Sequence, residues 1–153
     1  MATEAMQRSI ASRRARRGGA LLETAFVLWV FLLLSFGTIE FGYFFYVKNA
    51  LVGASREGCR AGIVPMPTGT STAVQNMVIS YLYNAGMNSS STTLDSKWTL
   101  AITPADVSTA AAGTSVKVTV SSTWGQLGQG FRPMGLIDSS KTIQGISTMR
   151  KEQ

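Results

Sequence analysis

The chain has 153 residues, of which 45% are apolar and only 14% charged, whereas soluble domains average about 25% charged. That shortfall points to lipid or to a polymer interior, and one domain's length leaves room for only a small soluble part beside a membrane segment. There is no histidine and a single cysteine, Cys59, which excludes Ser-His-Asp and Cys-His catalysis, the HExxH zinc site, every His-ligated metal and any internal disulfide.

The carboxylates form no pair in a suggestive context, so the chain reads as a non-enzyme with no cofactor, metal or small-molecule substrate. The net charge is +6, unevenly placed. Arg8, Arg13, Arg14, Arg16 and Arg17 lie in the first eighteen residues against one acid, Glu4. A basic tag can grip nucleic acid through phosphates. Set against a hydrophobic run, it instead fixes membrane orientation, and no nucleic-acid partner is expected.

Residues 1–17 lack hydrophobic periodicity and read as a flexible tail. After Gly18 and Gly19 comes a long apolar segment, residues 20–47, which carries one acid, Glu40, between Ala25 and Val47. As a helix that stretch is about 35 Å long, enough to cross a hydrocarbon core of about 30 Å with modest tilt. Lipid offers backbone amides no partner, so helix is required. The arginines precede the span, which puts the N-terminus in the cytoplasm. Phe41, Tyr43, Phe44, Phe45 and Tyr46 gather at the far end, as an interfacial aromatic belt would.

No proline interrupts residues 48–64, and Pro65 and Pro67 then end the helix. Ala50, Ala54, Gly58 and Gly62 recur every four residues as a stripe of small side chains. The stripe either admits the backbone of another helix or seats the soluble domain on this one. Glu57 and Arg60, three apart, can pair on the helix surface. Cys59 reads as a small packed residue.

Downstream, Thr72-Ala73-Val74-Gln75 fits a capping box. Val74, Met77, Val78, Tyr81 and Leu82 share a helical face, so an amphipathic helix is expected over about 73–85, with Gly86 as its left-handed terminator. Asn88 to Thr93 is a polar loop. Trp98, Leu100 and Ile102 alternate with polar neighbours, as do Val116, Val118 and Val120, giving two half-buried strands. Residues 125–135 are Gly-rich and irregular. Their Gly125-Gln126-Leu127-Gly128-Gln129-Gly130 run lacks the strand-then-helix context of a phosphate loop. Thr142 to Met149 is a third strand, weakened by Gly145. The short connections favour antiparallel pairing. The expected fold is α+β: a long N-terminal transmembrane helix extended into a small domain with one amphipathic helix and a three-stranded antiparallel sheet.

The junction Arg16-Arg17-Gly18-Gly19-Ala20-Leu21-Leu22-Glu23 sets glycine before an apolar helix bearing a lone acid. It resembles the type IV prepilin superfamily, and in particular its TadE-like branch, minor pseudopilins of tight-adherence (Flp-type) pili. Thr38-Ile39-Glu40-Phe41-Gly42-Tyr43, Asn49-Ala50-Leu51 and Ala54-Ser55-Arg56-Glu57-Gly58-Cys59-Arg60-Ala61-Gly62 are similar to that family's IEFG…ALxxAAREGARAG block. Thr148-Met149-Arg150-Lys151-Glu152 is similar to its tail. Thr24 departs from the aromatic residue usual after the acid, and Cys59 from the usual alanine.

The resemblance implies a basic leader over 1–18, cut by a prepilin peptidase after Gly18 or Gly19. It implies a helix over 19–64 spanning the bacterial inner membrane and a periplasmic domain over 65–153. In such a protein Glu23 pairs with the N-terminal amine of a neighbouring subunit; otherwise it contacts only Arg17 or water at the interface. Glu40, the second intramembrane acid, either registers subunits side by side or snorkels outward among the tyrosines. The implied partners are other pilins, inner-membrane pilus assembly proteins and membrane lipid, and the implied roles are pilus assembly and surface adhesion. A single-pass, signal-anchored binding or sensor module would account for the hydrophobicity but not for the Gly18–Glu23 arrangement. A secreted protein would lose the apolar run, which is too long for a signal-peptide core of about 7–15 residues.

Overall fold

The computed structural model describes residues 2–64, 69–127 and 133–152, with side chains from Gly19 onward. The chain runs α1 (Ala2–Ile63), α2 (Ser71–Asn84), β1 (Thr99–Thr103), β2 (Ser115–Thr123), a short α3 (Trp124–Leu127) and β3 (Thr142–Arg150). The three strands form one antiparallel sheet in the order β1-β2-β3. This is the α+β fold expected, with one helix near the N-terminus long and apolar enough to cross a membrane.

Residues 2–17 are helical rather than a tail. Alanine, arginine, glutamate, glutamine and methionine dominate them, all good helix formers that need no amphipathic period to propagate a helix begun downstream.

The chain divides into two compact units, Met1–Ile39 and Glu40–Gln153. In the first, the side chains from Gly19 to Ile39 are exposed or half-buried all round the helix. In the second, the remainder of α1 carries core residues: Val47, Leu51, Ala54 and Cys59 are essentially inaccessible. The apolar stretch expected as one span over 20–47 therefore holds two kinds of surface. From Glu40 the inward positions 40, 43/44, 47, 50/51, 54, 58 and 62 follow the helical period, so the stripe of small residues extends a face that begins in the aromatic cluster.

That face meets α2 and the sheet within the second unit. A Cβ added at Gly58 would lie 2.8 Å from Val78 Cγ2 and 3.4 Å from Val118 Cγ1; one at Gly62 would lie 2.9 Å from Val74 Cγ2 and 3.3 Å from Val116 Cγ1. Of the two uses open to the stripe, this geometry is that of seating the chain's own domain. Val74, Val78 and Leu82 of α2, Val116, Val118 and Val120 of β2, Ile143 of β3 and Trp124 complete the core.

Local details differ from expectation where neighbours decide them. The α2 cap is Thr70, not Thr72: its extended backbone and hydroxyl, which accepts from Ala73 N–H at 3.1 Å, start the helix two residues earlier. On α2, Ile79 turns inward while Met77 is exposed. Gly86 does terminate the helix with φ +68°, its N–H donating to Tyr83 O at 2.9 Å. In the glycine-rich stretch, residues 124–127 form a helical turn with Trp124 buried. Its Gly128, Gln129 and Gly130 lie outside the described residues.

The C-terminal residues close the second unit. Glu152 N–H donates to Ile63 O at 3.0 Å, satisfying one of the carbonyls that end α1. Lys151 is buried and its Nζ donates to Val107 O at 2.6 Å and Ser108 O at 3.3 Å.

Candidate functional site

The functional features of the first unit lie along one helix. Leu21, Leu22, Phe26, Trp29, Phe31 and Leu34 are each more than half exposed. A helix apolar on every side is stable only inside lipid or among other helices. Its polar side chains suit that setting. The hydroxyls of Thr24 and Thr38 each donate to the carbonyl four residues back, Ala20 O and Leu34 O, both at 2.8 Å, so neither presents a bare hydroxyl to hydrocarbon. Glu23 is the single ionisable residue between Gly19 and Ile39, and it is exposed. Gly18 and Gly19 lie within α1.

In the second unit, Glu40 does not snorkel. It is fully buried, and its Oε1 accepts a hydrogen bond from Ile137 N–H at 3.1 Å. Its Oε2 is buried with no hydrogen-bond partner among the described residues. The aromatic belt is likewise split. Tyr43 and Phe44 pack on Trp124, with ring centroids 5.7 Å and 5.4 Å away, while Phe41, Phe45 and Tyr46 are about half exposed. Tyr43 OH donates to Leu127 O at 3.4 Å and Tyr46 OH to Ala85 O at 2.7 Å, and Lys48 Nζ donates to Gln144 O. Tyrosine and lysine thus tie this turn of α1 to α3, to the end of α2 and to β3.

The reactive side chains offer little chemistry. The thiol of Cys59 is fully buried, 3.2 Å from Ser147 O and 3.6 Å from Val116 O. Arg60 and Glu57 pair at 3.4 Å on the surface, a contact worth less than about 1 kcal/mol. A groove lined by Tyr46, Asn49, Ala50, Tyr81, Asn84 and Ala85 holds amides and phenols but no carboxylate or thiol. Hydrogen bonds from Ser89 and the ammonium of Lys97 hold the Asp95 carboxyl below its ordinary range, which organises the 88–97 loop rather than a catalytic centre.

The comparisons with known proteins bear on the stretch that holds the junction, Glu23 and Glu40. Residues 18–60 match the family described as TadE-like protein. The match starts at the glycine pair and ends at Arg60, near the end of α1, so α2 and the sheet lie outside it. No curated protein and no solved structure matches the chain. The TadE-like family is a pilus-related structural one, and this chain is similar to it over 43 of its 153 residues.

Sequence reasoning missed the burial of Glu40 and its partner, the inward turn of Tyr43 and Phe44, and the buried Lys151. For the aromatic pair a signal existed: positions 40, 43/44 and 47 continue the period of the small-residue stripe. For Ile137 there was none, since it meets Glu40 across 97 positions of sequence.

Proposed function

We propose that this chain is a minor pilin of a tight-adherence pilus, anchored in the bacterial inner membrane with its N-terminus cytoplasmic and its second unit periplasmic. A prepilin peptidase removes the basic leader after Gly18 or Gly19, and the mature subunit joins or primes the pilus with other pilins and inner-membrane assembly proteins, serving surface adhesion. The observation that carries this reading is the form of the first unit. A glycine pair within α1 precedes a stretch exposed and apolar on all sides to Ile39, Glu23 is the only ionisable residue of that stretch, and the TadE-like match covers it.

The hydrocarbon-embedded part is residues 19–39. At about 1.5 Å per residue they reach roughly 31 Å, close to the hydrocarbon thickness of about 30 Å. From Glu40 the inward side chains belong to the protein's own core. In the assembly, Glu23 of one subunit accepts the new α-amino group of a neighbour. Inside a low-dielectric bundle that attraction offsets the cost of placing a carboxylate in lipid.

N-terminal sequencing and intact mass of the membrane-extracted protein test this. Co-expression with a prepilin peptidase should yield a chain beginning at Gly19 or Ala20 that keeps the apolar helix. A chain that begins at Met1 in the presence of active peptidase, or one that lacks residues 20–39, would overturn it.

A further inference from the structure

We propose that the loop 133–137 is a membrane-surface contact: Met134 and Leu136 insert among the lipids of the outer leaflet of the inner membrane and hold the periplasmic unit down on the bilayer. The inference rests on the membrane reading above and adds a second attachment point beyond the helix. Ile137 is tied through its N–H to Glu40, the residue that directly follows the exposed apolar run on α1. The loop is thereby held beside the residue at which, on that reading, the helix leaves hydrocarbon. Met134 is three residues from Ile137, and an extended chain covers at most about 3.6 Å per residue, so the backbone of both apolar residues stays within about 11 Å of that tie.

The loop's own chemistry fits a lipid surface. Gly135 has φ +62°, which allows the tight turn between its two apolar neighbours. Leu136 is 52% exposed and Met134 37%, so neither completes the core. Directly after them the chain turns polar: the Asp138 carboxylate accepts from Ser140 N–H and Ser140 Oγ–H at 2.8 and 2.9 Å, and Lys141 follows. An apolar tip with a polar shoulder is the pattern of an interfacial anchor. Phe41 and Phe45, exposed on the first two turns after Ile39, offer aromatic rings at the same level. Glu40 acts here as a positioning residue, its buried carboxyl holding the loop by the backbone.

The test uses the full chain in phosphatidylethanolamine–phosphatidylglycerol vesicles. Single cysteines placed by Met134→Cys, Leu136→Cys, Leu28→Cys and Thr148→Cys carry an environment-sensitive fluorophore; Cys59, buried, stays in place, and the unaltered chain gives the labelling background. Doxyl groups on the lipid chains quench probes that touch lipid. Probes at 134 and 136 should be quenched several-fold more than the probe at 148 on the outer sheet face, with shallow doxyl positions most effective. If the probe at 28 is quenched and those at 134 and 136 behave like the one at 148, the loop contact is wrong while the membrane helix stands. If the probe at 28 also escapes quenching, both fall.

Discussion

Replacing Gly145 with alanine should unfold the second unit at a much lower temperature, because the added methyl has nowhere to go. Gly145 lies mid-way along β3, opposite Val120 of β2. A Cβ there would sit 2.1 Å from Leu51 O, 2.2 Å from Leu51 C and 2.6 Å from Val52 N. All three are backbone atoms of α1, locked by the helix's own hydrogen bonds, so no rotamer change relieves them. Carbon contacts are at rest near 3.5–4.0 Å, so β3 must lift from α1 by about 1 Å or more. That loosens Lys48 from Gln144 O and Cys59 from Ser147 O, and opens the core around Ile143. Overpacking of this kind costs up to about 3 kcal/mol and more where backbone blocks relaxation. The gain from removing a glycine, about 0.5–1 kcal/mol, offsets little of it.

At about 4–8 °C per kcal/mol for a unit of this size, the melting temperature should fall by roughly 10–20 °C. Near-UV circular dichroism of the buried Trp98 and Trp124, in the detergent-solubilised full chain, reads the second unit directly. Gly42→Ala is the control: nothing lies within 4 Å of its added Cβ, and in a helix interior alanine is favoured by about 0.5–1 kcal/mol, so its melting temperature should hold or rise. A Gly145→Ala protein melting within two or three degrees (about 0.5 kcal/mol) of the parent would refute the close contact between β3 and α1.

Other outcomes follow from the same contacts. Glu40→Ala takes away the Oε1 that accepts from Ile137 N–H and should destabilise by about 1–3 kcal/mol, with faster proteolysis at 133–141, whereas Glu40→Gln keeps the acceptor and should behave like the parent; equal proteolysis of the two variants would count against the Glu40–Ile137 tie. Asp95 is held low by Ser89 and Lys97, so its contribution is present above the ordinary carboxylate value of about 3.9 and is lost as pH falls through the lowered folded value. Amide exchange in the 88–97 loop should therefore quicken below about pH 4 relative to other loops, and Asp95→Asn should remove that pH dependence. Cys59 should resist maleimide in the folded chain and run as a monomer without reductant; a reductant-sensitive dimer would contradict its burial. Glu23→Ala should insert normally yet co-purify less with pilus components, and unchanged co-purification would remove its assembly role.

Much of this architecture is local and therefore legible. Alternation at 98–102 and 116–120 marks strands because side chains flip faces every residue. Val74, Val78 and Leu82 mark a helix because they share one face every three to four residues. Gly86 was readable as a terminator because its left-handed backbone is a property of one residue and its neighbours. The resemblance to the TadE-like family was readable because a lone acid beside glycine in an apolar run is itself a pattern, and the family match covers that stretch. By contrast, the Thr70 cap is missed when Thr72 offers an equally good local signature, and Gly145 looks like a weak strand position until the helix behind it is known.

Composition and order along the chain determined the apolar helix, its orientation signal, the α+β sequence of elements and the exclusion of histidine chemistry. Periodicity and charge act over a few residues, and they survive without a fold. Tertiary structure alone decided where that helix ceases to face outward, that the small-residue stripe seats α2 and the sheet, and that Glu40 is buried against Ile137. Each of those depends on groups brought together from distant parts of the chain, and the energy of burying a side chain belongs to the pair of surfaces that meet, not to either segment alone.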